Sequence, residues 1–234
     1  MSQAKERIFA KLRAAQAKPV AHPDVAAYYQ DMGATWADDV ARLKHWAATM
    51  RAVKTEIIWV TQANWLTHLA EVVRTKNIAN LALPNGTVAS AAIQQALPEL
   101  APGAHCTVMD EALEHCKDAW FGDTDAGFTE VCCGIAQTGT LLLWTSAQEP
   151  RSLSLIPPIH IALFDTQKLQ PDFFSAMQAL SLSENMPSNV VLVSGPSKTA
   201  DIQLTLAYGA HGPKDLVVLA LLPEGIDAAD LAQA

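Results

Sequence analysis

The sequence predicts an α/β fold, a Rossmann-like mixed sheet flanked by helices and preceded by an N-terminal helical extension. Three observations predict it. Short apolar runs from "EIIWV" at 56–60 to "LVVLALL" at 216–222 recur between helix-compatible stretches, as strands buried on both faces require. Before residue 54 the apolar period is helical instead. Half of the 234 residues are apolar, enough for a large core.

The elements follow in order. Ile8, Leu12 and Ala15 recur at helical spacing against a wet face of Lys5, Lys11 and Arg13, which predicts a helix over 3–17. After the irregular "KPVAHPD", the stripe Trp36, Val40, Leu43, Ala47 and Met50 predicts a long helix over about 35–53. "TWAD" at 35–38 offers Thr35 as its cap, with an acidic residue three positions on. Residues 1–53 thus form the helical extension and 54–234 the α/β domain. The runs "EIIWV", "IANLAL", "HCTVM", "LLLW", "IHIALF", "NVVLV" and "LVVLALL" are the strands of a mainly parallel sheet. "FTEVCCGIA" and "TLLLW" are separated only by "QTG". So short a link cannot be a parallel crossover, so these two form an antiparallel pair and make the sheet mixed. "TADIQLTLA" at 199–207 reads as a helix following the "NVVLV" strand.

Composition excludes several classes. Sixteen Lys plus Arg against 24 Asp plus Glu give a formal charge of -8, which argues against nucleic acid as a partner. No apolar run approaches the roughly 20 residues of a membrane span, and "MSQAKERIFAKLRAAQAK" lacks the apolar core of a secretory signal. Cys106, Cys116, Cys132 and Cys133 show neither C-x-x-C spacing nor a cluster-ligand ladder. Free thiols in a reducing cytoplasm are expected, with no metal and no iron–sulfur cluster held by this chain. The seven histidines include no H-E-x-x-H, and the chain has no G-x-S-x-G elbow, Walker loop or G-x-G-x-x-G.

The candidate chemistry lies in loops. In "SGPSKTADIQ" at 194–203, Ser194, Gly195, Pro196, Ser197 and Lys198 would join a strand to a helix. There Gly195 allows close approach, Ser197 can cap, and a phosphate or carboxylate would meet helix N–H groups at the carboxyl end of the sheet. The same residues also make an ordinary turn. Asp201 complements a helix dipole or binds a hydroxyl, amide or cation. Thr138, Gly139 and Thr140 present two hydroxyls and exposed amides at the tight "QTG" link, where a hairpin needs the same residues for geometry. His160 is either a core histidine or a catalytic one, and His211, in "YGAHGPKD" with Gly212 and Pro213, either projects into a cleft or lies on the surface. Glu130 is either an acid/base or acyl-transfer carboxylate or an exposed strand residue. The loops around 138, 160, 195 and 211 are expected to converge on one cleft.

Taken together, "GIAQTGTLLLW", "RSLSLIPPIHIALF", "PSNVVLVSGPSKTADIQ" and "GAHGPKDLVVLALL" resemble the LUD-domain family, and within it the lactate utilization protein C group, over about residues 50–222. The resemblance implies the NagB/RpiA/CoA transferase-like fold. It also implies a part in oxidising L-lactate to pyruvate beside two iron–sulfur partner proteins, which hold the clusters this chain lacks. Carried over, the family's ligand-binding motif falls on Thr138, Gly139, Thr140, Arg151, His160, Ser194, Gly195, Pro196, Ser197, Thr199, Asp201, His211 and Gly212. Gln137 stands where many relatives have an acid before T-G-T, so an acid role at that position is not expected. The chain is thus read as an accessory or substrate-binding subunit. The alternative is a stand-alone enzyme or binder for a small anionic acyl, phosphate or nucleotide ligand.

Overall fold

The computed structural model describes residues 3–15, 20–108, 119–200, 206–208 and 211–231, with backbone alone for 119, 198–200 and 206–208. Contacts separate one compact unit ending at Gly33 from a second beginning at Ala34. The first holds α1 (Gln3–Ala14), where the Ile8 and Leu12 spacing predicts a helix, and α2 (Val25–Met32). The sequence gives no warning of α2, because eight residues rich in Ala and Tyr are too short to show a stripe. Asp24 starts it, its side chain accepting from the Ala27 N–H at 3.0 Å. Neither helix buries a residue.

The second unit runs α3 (Asp39–Ala52), β1 (Glu56–Val60), α4 (Trp65–Thr75), β2 (Asn80–Leu83), α5 (Val88–Leu100), β3 (His105–Val108) and β4 (Ala126–Glu130). It continues with β5 (Cys133–Ile135), β6 (Thr140–Trp144), α6 (Ser152–Leu155), β7 (Ile159–Asp165), β8 (Leu169–Gln170), α7 (Phe173–Ala179) and β9 (Val190–Val193). The short pair β10 (Lys198–Ala200) and β11 (Leu206–Tyr208), then β12 (Asp215–Leu221) and α8 (Ala228–Leu231), complete it. Asp38 and not Thr35 begins α3: its backbone is extended and its carboxylate accepts from the Ala41 N–H at 2.7 Å. Asp caps at least as well as Thr.

Six strands form a parallel sheet in the order β1-β12-β7-β4-β2-β3. The predicted antiparallel pair is present, Gly134 opposite Leu141, but in a second sheet of order β8-β5-β6-β9. The reason is that β4 already has neighbours on both sides, β2 and β7. Leaving Glu130, the Val131 N–H still donates to Leu163 O, whereas the Cys132 N–H donates to Leu142 O. Two adjacent residues thus pass the chain from one sheet to the other. "NVVLV" is a strand, but β9 sits at the edge of this second sheet and is only half-buried. The helix expected over 199–207 is replaced by the antiparallel pair β10 and β11, with Thr199 opposite Ala207; residues 201–205 lie outside the described residues. β-branched and aromatic residues at Thr199 and Tyr208 suit a strand, and a short run that alternates while also fitting the helical period cannot be assigned by period alone.

Both faces of the parallel sheet are covered, as its apolar strands demand. On one, α4 and α5 set Leu69, Val73, Ile93 and Leu97 against Leu81, Phe128, Ile161 and Val217. On the other, α3 puts Leu43, Trp46, Ala47 and Met50 among Ala162, Phe164 and Val218 of the parallel sheet and Leu141 and Leu143 of the second. Trp46 is fully buried, with its ring 5.1 Å from Phe164 and 6.3 Å from Trp59. Its indole N–H has no partner among the described residues, so part of its apolar gain is offset by a desolvated donor. Trp46→Ala should therefore cost about 3–5 kcal/mol, and Trp46→Phe, which removes the orphan donor and leaves a smaller void, clearly less. Urea unfolding of the two variants beside the parent checks the order.

Candidate functional site

The "QTG" turn and the "SGPS" loop are both seated on the C-terminal end of α3, the first on its last turn and the second on Val53, which follows it. Gly139 has φ +57°, and a Cβ there would stand 2.6 Å from Thr49 Cγ2; Gly195 has φ +136°, with its Cβ position 2.7 Å from Val53 Cγ2. Positive φ and close approach together explain glycine at both. With the two turns fixed, their hydroxyls meet. Thr138 Oγ1 lies 2.7 Å from Thr140 Oγ1, which lies 2.7 Å from Ser194 Oγ. Each hydroxyl both donates and accepts, so the chain of three can reverse direction when a ligand takes one end.

Ser194 opens onto a cavity of about 170 Å³ lined also by Gly195, Pro196, Ser197, His160, His211, Gly212, Pro213, Ser154 and Leu155. The Ser197 N–H donates to Pro213 O at 2.7 Å and joins its two loops. His160, the second residue of β7, is 1% exposed, with Nε2 2.8 Å from Thr129 Oγ1 on the neighbouring strand. Burial lowers its pKa to about 4, so the ring is neutral at physiological pH.

The cavity's position differs from expectation. It lies past the end of β9 but beside the first residues of β7 and β12, His160 and Leu216. It is therefore at the amino ends of the parallel strands, because β9 belongs to the other sheet. Lys198–Ala200 is strand, so the loop leads into β10 and not into a helix N-terminus that would receive an anion. His160, Ser194, Gly195, Pro196, Ser197, His211 and Gly212 share one wall, and Thr138 and Thr140 join it through Ser194. Arg151 does not line it: it is exposed and precedes α6, its carbonyl accepting from Ser154 Oγ at 3.1 Å. Thr199 is placed by its backbone in β10, and Asp201 lies outside the described residues.

Three polar residues near the candidates escaped sequence reasoning. Thr129 and Ser154 stand in apolar or irregular runs that show no motif. Glu149 is the third: its Oε1 accepts from the Glu130 N–H at 2.7 Å. Burial raises its pKa to about 7, with the Glu130 N–H opposing and the Glu130 charge adding to the rise. It sits in "QEPRSLSLIPP", where only the fold brings it to Glu130.

These two groups set opposite pH dependences. The unfolded imidazole takes up a proton near 6.5 and buried His160 only near 4, so stability falls as pH drops between those values, by on the order of 3 kcal/mol at most. Folded Glu149 holds its proton to about 7 against 4.5 in the unfolded chain, so its contribution is lost as pH rises through that window. The two windows overlap, so the slopes largely cancel in the parent: urea midpoints should fall as pH rises from about 4.5 to 7 in His160→Gln and fall as pH drops from about 6.5 to 4 in Glu149→Gln.

With this geometry in view, comparison with known proteins places the chain. Residues 43–221 match the LUD domain family model. A Neisseria meningitidis serogroup B protein, "Uncharacterized protein NMB1437", is 51% identical over 235 residues, 98% of each chain. Proteins named "Lactate utilization protein C" are 34% identical over 112 residues in Macrococcus caseolyticus and 32% over 108 residues in Bacillus subtilis. These alignments cover 45% and 44% of this chain and 48% and 44% of those proteins, so the matched stretch spans about half their length or less. A crystal structure of a DUF162 family protein from Deinococcus radiodurans superposes with a TM-score of 0.59 at 21% identity, covering 79% of this chain and 99% of that one. It shares the fold. Since the LUD model spans well over half of the sequence and the Neisseria relative nearly all of it, the chain belongs to the LUD-domain family.

Proposed function

We propose that this chain acts in lactate utilization as an accessory, substrate-binding subunit for the oxidation of L-lactate to pyruvate, with iron–sulfur proteins as partners. The observation that carries the reading is the hydroxyl chain Thr138–Thr140–Ser194 running into a small cavity that ends on a neutral, buried His160. Serine and threonine hydroxyls donate to a carboxylate, and an uncharged imidazole hydrogen-bonds a hydroxyl without taking its proton. A small hydroxy acid presents both groups. At about 170 Å³ the cavity is below the roughly 300–1,000 Å³ of sites for drug-sized ligands, which favours a compact acid over a nucleotide.

The same reading assigns electron transfer to the partners. Burial pushes the Cys106 and Cys133 thiols up, to about 11 and about 12. The two stand in different sheets, on β3 and β5. The names of the "Lactate utilization protein C" relatives supply the metabolic setting.

Deleting the gene should abolish growth on L-lactate while sparing growth on glucose. Complementation with the parent should restore it, and Ser194→Ala/Ser197→Ala, folded and expressed at parental level, should not. Unimpaired growth of the deletion strain would refute the metabolic role, and full rescue by the double variant would refute the site. Affinity purification of the tagged chain from lactate-grown cells should co-purify proteins with iron–sulfur absorption bands, and their absence would refute the partner assignment.

A further inference from the structure

A second cavity, of about 310 Å³, lies at the other end of the parallel sheet. Glu130 ends β4, Leu163 and Asp165 end β7, and Leu221 ends β12, so this cavity occupies the carboxyl ends, where open α/β sheets receive ligands. His160 and Asp165 are five residues apart on β7, about 17 Å at strand rise. The two cavities are therefore separate sites.

We propose that the carboxyl-end cavity binds a small organic amine, an ammonium head carried on an apolar body. Its walls are apolar where Trp65 and Leu66 of α4 and Ala89 of α5 line it, and its charged groups, Glu130, Asp165 and Lys168, come from the strand ends and the turn after β7. That division matches an amphiphilic ligand, and the volume lies in the small-molecule range. Charge decides which head fits. Lys168 Nζ is 3.7 Å from Asp165 Oδ2, so the cation that lines the cavity among the described residues is matched to that acid. Glu130 is instead backed by a second acid, Glu149, whose carboxylate holds the Glu130 N–H at 2.7 Å. The group that completes this arrangement is a positive charge beside Glu130. Trp65, 5% exposed and stacked on Phe128 at 6.4 Å, adds a fixed aromatic wall suited to an apolar or cationic group.

The test is calorimetric titration of the full chain with 2-phenylethylamine and with phenylacetate, which share an apolar body and differ in the sign of the head. The amine should bind saturably and phenylacetate should not. Glu130→Gln should weaken the amine at least tenfold. Val88→Trp, a substitution at an exposed rim position of the cavity, should block it without disturbing the core, which keeps the test open if Glu130→Gln misfolds. His160→Gln should leave amine binding unchanged, so failure here is distinguishable from failure of the lactate site. Equal binding of phenylacetate, no saturation by the amine at millimolar concentration, or full affinity in folded Glu130→Gln or Val88→Trp would overturn the proposal.

Discussion

The burial of one helix underlies the arrangement around the hydroxyl cavity. α3 is wedged between the parallel sheet and the second sheet, and Leu43, Trp46, Ala47 and Met50 are the residues both sheets close upon. The C-terminal end of this helix, with Val53 that follows it, is also the surface on which Gly139 and Gly195 rest without room for a Cβ. Side chains that fill a close-packed core therefore fix two loops that are not part of it. The short Thr140–Ser194 hydrogen bond is a product of that packing, since the two residues are 54 apart in sequence.

The parallel sheet separates two electrostatic environments. At the amino ends of β7 and β12, burial strips charge from His160, whose Nε2 meets the Thr129 hydroxyl at 2.8 Å. At the carboxyl ends, carboxylates gather and burial pushes Glu149 in the opposite sense, toward its own neutral form. Desolvation acts alike on both, penalising whichever form is charged.

Most strands were legible because they are continuous apolar runs, as β7 and β12 are in a sheet covered on both faces. The assignment of β5 and β6 to a sheet of their own was not, since that follows from β4 having two neighbours, a fact of pairing and not of composition. The helix expected after Ser197 failed for a related reason: Ala and Leu at mixed spacing satisfy both periods, and the pairing of β10 with β11 decides. At the site, Ser194, Ser197, His160 and His211 could be selected by residue type and loop position, and the structure brings them to one cavity. Thr129, Ser154 and Glu149 could not be, because their relevance arises from contacts between separate segments.

The order of strands in the sheet also bears on how the chain is made. β12, the last of the parallel sheet's strands in chain order, is not at an edge but between β1 and β7. Until Asp215–Leu221 has emerged from the ribosome, β1 has no partner in the parallel sheet, and the backbone N–H and C=O groups of β7 on that side have no strand to pair with. A nascent chain in that condition carries open, sticky strand edges for much of its synthesis. Its closure depends on contacts between residues at opposite ends of the second unit, which makes for slow completion. Truncation just before Asp215 would leave a sheet split in two, not one shortened at its rim.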